Sequence, residues 1–203
     1  MSYLENLQHF KQFIFESEQV RLRKEAGDPR PYSLDKILQT KSFCNVRRED
    51  DRGTRWLSEH WLEPHRGEPD VWFAAALYRR GCNLPRTAAA IGYPVPYSVE
   101  VGDKYEAAME EFGYSRAYRL VVGGAGAGMT LAHAARTLIL DGLWENREYY
   151  RPVACRDDLA AFTERLAKQP NEFLRMAPNY IGNFVAAQIC ADVKFTLFAP
   201  ASR

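Results

Sequence analysis

Apolar residues recur every three or four positions along most of the chain, and this spacing predicts helices. Near the N-terminus, Leu4, Leu7, Phe10 and Ile14 define one apolar face of a helix. Strict alternation of apolar and polar residues, which is typical of a half-buried strand, is nearly absent. The pattern therefore predicts an all-α chain of about nine or ten helices joined by short loops.

Prolines and glycines divide the middle of the chain into helical segments. Prolines at 69 and 85 each precede an apolar run, and glycines at 81 and 92 end these runs. The sequence Asp103-Lys104-Tyr105-Glu106 has the form of a capping box and predicts that a helix starts there. The segments predicted in this way cover residues 71–78, 85–91, 103–112, 130–144 and 157–168.

The apolar face of the first helix continues into charged residues. Glu18 and Arg21 occupy its next positions and are three residues apart, which allows their side chains to meet. A charged group that extends a core-facing stripe needs a partner or a ligand. This pair is therefore a candidate for a buried ion pair or for a binding site.

A second charged run extends from Arg47 to Arg55. Asn45 is suited to cap a helix that starts here, and the acidic residues favour its positive N-terminal end. Helical spacing would pair Arg48 with Asp51, and Asp51 with Arg55. The residues alone leave two interpretations open, a structural ion-pair network and a ligand or nucleic-acid site.

The region from Arg21 to Trp56 carries a pattern of arginines, prolines, acids and aromatic residues at fixed spacing: Arg21, Arg23, Gly27, Pro29, Pro31, Asp35, Ile37, Leu38, Phe43, Asn45, Val46, Arg48, Glu49, Asp51, Thr54, Arg55 and Trp56. This pattern resembles that of a family of DNA-acting helical proteins related to helix-hairpin-helix DNA glycosylases. Members are thymine pyrophosphorylase-like proteins, amino acid:DNA transferases and the helical domains of 5-hydroxymethyluracil DNA kinases. Tyr32 and Ser33 differ from the usual Trp and Thr.

A second patch, residues 179–195, is similar to the hairpin and helix of the same family. Gly182, Ala186, Gln188 and Asp192 keep the pattern, whereas Tyr180 replaces the first glycine. In helix-hairpin-helix proteins such a hairpin offers backbone N–H groups to a DNA phosphate. The resemblance thus implies a DNA-backbone contact at Gly182 and Asn183. Without it, the segment is a capped amphipathic helix.

The resemblance implies a helix-hairpin-helix DNA-glycosylase-like domain that acts on pyrophosphorylated 5-hydroxymethyluracil in DNA. In this reaction an amino acid or amine would replace pyrophosphate on the base. The site therefore needs cations that stabilise the leaving pyrophosphate and a carboxylate that orients or deprotonates the amine. The implied catalytic residues are Glu49, Asp51 and Asp192. The implied substrate- or phosphate-binding residues are Glu18, Arg21, Asn45, Arg48, Arg55 and Gln188.

A different class of function is also open: a non-catalytic helical module that binds DNA and presents it to a partner kinase or modification enzyme. Base-excision glycosylase activity is a weaker third hypothesis. The implied partners are thus modified DNA, an amino-acid substrate in the transferase case, and such an enzyme. No cofactor or metal is predicted.

Composition narrows these hypotheses. The net charge of +1 over 203 residues provides no overall basic surface, so DNA binding would depend on local clusters. Two such clusters are Arg21, Arg23, Lys24 and Arg30, and Arg47, Arg48, Arg52 and Arg55.

The remaining composition predicts a protein that stays inside the cell. The four cysteines and four histidines lack the spacing of a metal site, no secretory leader is evident, and no apolar run is long enough to span a bilayer. The thiols are expected to be buried and reduced, in the cytoplasm of a bacterial or phage-infected cell.

A glycine-rich segment, residues 121–130, imitates a phosphate-binding P-loop. Met129 occupies the position of the essential lysine, so a linker or close helix packing is the favoured interpretation. We expect a single helical domain over residues 1–203. Because family members usually continue past Asp192, the alternatives are a shortened chain, a divergent short member and one domain of a longer protein.

Overall fold

The computed structural model of the chain describes residues 3–40, 48–115, 129–154, 161, 164 and 182–193. Every regular element among these residues is helical, and none of them lies in a strand. The all-α prediction is confirmed. Of the predicted helix over 157–168, only residues 161 and 164 are described, and both are helical. The glycine-rich segment up to residue 128 lies outside the described residues.

The helices are short after a long first one. Three wide π-helical turns extend or join them: Ser58–Leu62 after α3, Leu77–Cys82 after α4, and Arg136–Leu140 between α7 and α8. A 3-10 turn, Arg48–Asp50, precedes α3. The α-helices are α1 Tyr3–Ala26, α2 Lys36–Thr40, α3 Arg52–Leu57, α4 Val71–Ala76, α5 Pro85–Ile91, α6 Val99–Phe112, α7 Leu131–Ala135, α8 Asp141–Glu145, α9 Arg147–Ala154 and α10 Gly182–Val193.

Helix α6 begins earlier than the capping box predicts. Ser98 has an extended backbone, and its hydroxyl accepts a hydrogen bond from the Val101 backbone N–H at 3.3 Å, so Ser98 is the N-cap. Asp103 therefore lies inside the helix, where its carboxylate accepts from Nη1 of Arg136 at 2.6 Å. The capping-box prediction was wrong because a better cap precedes it. By contrast, α5 begins at Pro85 and ends before Gly92, as predicted.

The chain divides into two compact units, Met1–Arg55 and Trp56–Arg203. In the first unit, α1 ends at Ala26 and a loop leads into α2. Leu4 and Phe10 on α1 are exposed, whereas Val20 is buried. Helical spacing correctly predicts which residues share a face, but it does not determine whether another element covers that face. The prediction of one domain over 1–203 stays a prediction.

The second unit is built around α4, whose six residues are all fully buried. Trp72 and Phe73 on this helix contact other aromatic rings, among them Tyr150 and Tyr97. Helix α10 packs against α4. The residues of α10 that enter the core are Ala186, Ile189, Cys190 and Val193.

A buried ion pair joins the π turn after α4 to α10. Arg79 donates from Nε and Nη2 to the carboxylate oxygens of Asp192 at 2.6 and 3.0 Å. The two side chains are only 2% and 1% exposed. Arg79 also donates to the side-chain oxygen of Asn83 at 2.8 Å. Because charged groups away from water require such partners, this pairing fixes α10 against the core.

Removal of one partner should destabilise the second unit strongly. We expect Asp192→Ala to lower the free energy of unfolding by about 3–5 kcal/mol, because it leaves the Arg79 guanidinium buried without its carboxylate. Urea unfolding followed by circular dichroism measures this. The control is Glu100→Ala, which removes the exposed partner of Lys104 and should have little effect. Equal, small losses for both variants would contradict the assigned role.

Candidate functional site

Arg21 lies in the C-terminal half of α1 and is the centre of an ion-pair network. Its Nε and Nη2 donate to the Glu18 carboxylate at 3.1 and 2.5 Å, and its Nη1 donates to Glu25 at 2.8 Å. The predicted pairing of Glu18 with Arg21 is present in this geometry. The hydrogen bond to Glu18 raises the pKa of Arg21 above its ordinary value, partial burial opposes this, and Glu25 and Asp50 also raise it.

Asp50 and Arg55 complete what we call the Arg21 network. Its members are Glu18, Arg21, Glu25, Asp50 and Arg55. An Asp50 carboxylate oxygen lies 3.5 Å from Nε of Arg21, and Nη2 of Arg55 lies 3.6 Å from Glu25. Helical spacing had pointed to Asp51 as the partner of Arg55. The network contains three carboxylates and two guanidiniums, so it provides no excess positive charge.

Solvent reaches the Arg21 network unevenly. The Arg21 side chain is 18% exposed, whereas that of Arg55 is 50% exposed. The network is therefore neither sealed in a core nor fully at the surface. Glu25 and Asp50 were not predicted as members. Glu25 could have been found from its four-residue spacing to Arg21, but Asp50 depends on tertiary folding.

Asp51 is the cap of α3. Its Oδ2 accepts hydrogen bonds from the backbone N–H of Thr54 at 2.8 Å and from the Thr54 hydroxyl at 3.0 Å. In the ordinary N-cap arrangement, a side-chain oxygen accepts a hydrogen bond from a backbone N–H two or three residues later, as here. Glu49 lies two residues earlier and is exposed. The structure thus places the two predicted catalytic acids of this segment in different environments.

Several predicted site residues lie partly or wholly outside the described structure. Asn45 is not described. Of Arg48, only the backbone is described, as the first residue of the 3-10 turn. Gly182 and Asn183 form the first turn of α10, and the hairpin residues before them are not described. The backbone contact proposed for Gly182 and Asn183 therefore stays a prediction.

Asp192 and Gln188 belong to α10 in the second unit. Both carboxylate oxygens of Asp192 accept hydrogen bonds from Arg79, and Gln188 is half-buried. An acid held in this way has the contacts of a structural ion pair. Its predicted catalytic role stays a prediction, and no step below depends on it.

The loop after α1 brings three cations to one tyrosine. Gly27, with φ of 76°, ends the helix, and backbone N–H groups of Gly27 and Asp28 donate to the carbonyls of Lys24 and Arg23 at 3.2 and 3.0 Å. The chain then turns back along α1. Nη1 of Arg23 donates to the Tyr32 carbonyl at 2.6 Å, which fixes Tyr32 beside the helix end.

We call Arg23, Lys24, Arg30 and Tyr32 the Tyr32 cluster. The ammonium of Lys24 and the guanidinium carbon of Arg30 each lie 5.7 Å from the centroid of the Tyr32 ring. This is the range of a cation–π contact. All three cations are exposed and Tyr32 is half-buried.

Hydrogen bonds through Ser33 hold the loop that carries Tyr32. Ser33 is buried, its hydroxyl donates to Glu16 on α1 at 3.2 Å, and its carbonyl accepts from the side chain of Gln39 at 2.9 Å. Asp35 then caps α2 by accepting from the N–H of Ile37 at 2.7 Å. The sequence pointed to the cations, but it did not point to Tyr32 as the residue that they share.

Cysteine and metal chemistry receive no support from the described part of the chain. Within it, no three histidine, cysteine or acidic side chains lie close enough to hold a metal ion. Cys82 and Cys190 are buried thiols in no disulfide, as expected, and burial raises the pKa of Cys82 to about 12. Among the described helices, none is both long and apolar enough to cross a membrane.

The family model described as "5-hmdU DNA kinase, helical domain" matches residues 5–202. The chain belongs to this family. A search of curated proteins and a search of solved structures found no match. The family description links this helical domain to modification of 5-hydroxymethyluracil in DNA. Amino-acid transfer and a helix-hairpin-helix, glycosylase-like architecture are not part of that description and stay predictions.

The two acids before α3 provide a matched pair of variants in the helical domain. Asp51→Ala should lower the free energy of unfolding by about 1 kcal/mol, because α3 loses its N-cap. Glu49→Ala should change it little, because Glu49 is exposed. Thermal or urea unfolding measures both. If the Glu49 variant were the less stable one, the capping role of Asp51 would be wrong.

Proposed function

We propose that this chain is a helical module that binds DNA containing 5-hydroxymethyluracil and presents it to a partner kinase or modification enzyme. The Tyr32 cluster makes the contact with DNA. The observation that carries this proposal is the gathering of three exposed cations at Tyr32: Lys24 and Arg30 lie beside its ring, and Arg23 binds its backbone carbonyl.

The Tyr32 cluster has the chemistry that DNA binding requires. Phosphate contacts from lysine and arginine provide most of the sequence-independent affinity for DNA. An aromatic ring among such cations adds a surface on which a base or sugar can pack. Arg23 holds the Tyr32 carbonyl, and further hydrogen bonds hold the adjacent Ser33, so the cluster is preorganised.

The Arg21 network is better suited to hold the first unit together than to bind a pyrophosphate. Each guanidinium in it already contacts a carboxylate, and Arg21 contacts three. A leaving pyrophosphate would have to compete with those acids and would meet a net negative set. We therefore assign this network to folding and the Tyr32 cluster to DNA.

A second candidate, transfer of an amino acid to pyrophosphorylated 5-hydroxymethyluracil, has one observation in its favour. Arg55 is half exposed, and its carboxylate partner lies at 3.6 Å, which is long for a charge-assisted hydrogen bond. Arg55 could thus turn to an anionic substrate. A base–amino-acid adduct, detected by mass spectrometry after incubation with such DNA and free amino acids, would favour this candidate. The module proposal expects none.

The double variant Lys24→Gln/Arg30→Gln tests the DNA contact. We expect weaker binding to duplex DNA containing 5-hydroxymethyluracil, and the slope of log affinity against log salt should fall by up to about 2, because each lost phosphate contact removes about 0.9. Fluorescence anisotropy over a salt series measures both quantities.

The matched control is Lys11→Gln/Lys104→Gln, which removes the same charge from exposed lysines outside the cluster. It should leave the affinity and the salt slope close to those of the unaltered chain. If both double variants lowered the affinity equally, only overall charge would matter and the assignment of the Tyr32 cluster would fail.

A further inference from the structure

Three stacked rings extend from the core of the second unit to its surface. Tyr78 is fully buried, Trp56 is half-buried and His60 is exposed. The Trp56 ring is stacked on Tyr78, with centroids 5.9 Å apart and an interplanar angle of 18°. His60 is stacked on Trp56 in turn, at 4.6 Å and 10°. Trp61 packs edge-on against both Trp56 and Tyr78 and supports the stack from the side.

The orientation of the His60 ring is fixed. Its Nδ1–H donates to the backbone carbonyl of Trp56 at 2.9 Å, one helical turn earlier. This bond and the stacking hold the imidazole parallel to the indole. An exposed side chain normally moves among rotamers, so a ring held flat at the surface offers a binding partner a preformed face.

The charges near His60 restrict what that face can accept. Glu59 is exposed beside it, and Glu63, three residues further on, is also exposed. A phosphate would be repelled by these acids, whereas a flat uncharged heteroaromatic ring would not. Neutral bases stack on aromatic side chains with substantial affinity.

We propose that the outer face of His60 stacks an unpaired base of bound DNA. This inference rests on the proposed function, because the base must belong to DNA that the chain binds. An unpaired pyrimidine with a 5-hydroxymethyl group has the flat, neutral form that the face accepts. His60 is here a positioning and binding residue, and it is assigned no part in a chemical step.

A second described histidine, His65, is also stacked on an aromatic ring, but its arrangement differs. His65 lies parallel to Tyr93 at 3.5 Å, and both donate to the same carboxylate, Glu68, at 2.8 Å. This closed triad uses the polar groups of all three side chains and links the segment before α4 to the one after α5. It is therefore suited to structural support, in contrast to the single tether of His60.

The test compares a duplex that carries one bulged, unpaired 5-hydroxymethyldeoxyuridine with the same duplex fully paired. The unaltered chain should bind the bulged duplex more tightly. His60→Ala should lower affinity for the bulged duplex by at least about fivefold and leave affinity for the paired duplex unchanged. His60→Phe, which keeps an aromatic ring, should retain most of the preference. The control is His9→Ala, an exposed histidine on α1.

The outcomes separate the two proposals. If the unaltered chain binds both duplexes equally, or if His60→Ala keeps the preference for the bulge, the inference about His60 is overturned and the DNA-binding proposal stands. If the chain binds neither duplex, the proposed function fails and the inference fails with it. Circular dichroism shows whether each variant retains its helices.

Discussion

A charged group that is withdrawn from water must be paired, and this constraint organises both units of the protein. In the second unit, Arg79 and Asp192 are almost completely buried and satisfy one another through two hydrogen bonds. Arg136 spans Asp103 and Glu106 on α6, and its side chain lies against Gly102, where a β-carbon would meet its Nε. Each pair joins elements that are distant in sequence. The positions of the helices thus depend on matched charges as well as on apolar burial.

The same constraint decides which charges remain for function. Carboxylates that complete an ion pair or cap a helix are not free to act on a substrate without a cost in stability. Glu18 and Glu25 hold Arg21, and Asp51 caps α3. In the described part of the first unit, the loop after α1 instead leaves cations at the surface around Tyr32. This division supports a binding module more than it supports an enzyme that stabilises pyrophosphate.

The sequence predicted the helical class and many helix boundaries, because periodicity, prolines and glycines are local signals. It also predicted the pairing of Glu18 with Arg21, which depends only on helical spacing. It could not predict that Arg79 would bind Asp192, since 113 residues separate them. The start of α6 was misplaced because two plausible caps compete locally. Tyr32 was noted only as a departure from the family pattern, and its importance depends on a loop that folds back onto α1.

The most direct test compares the two arginine clusters by chemical modification with and without DNA. Free arginines react with p-hydroxyphenylglyoxal, and mass spectrometry of peptides gives the rate at each residue. The account predicts that duplex DNA containing 5-hydroxymethyluracil slows modification of Arg23 and Arg30 and leaves the rates of Arg21 and Arg55 unchanged. Protection of Arg21 and Arg55, with Arg23 and Arg30 reacting as they do without DNA, would contradict it.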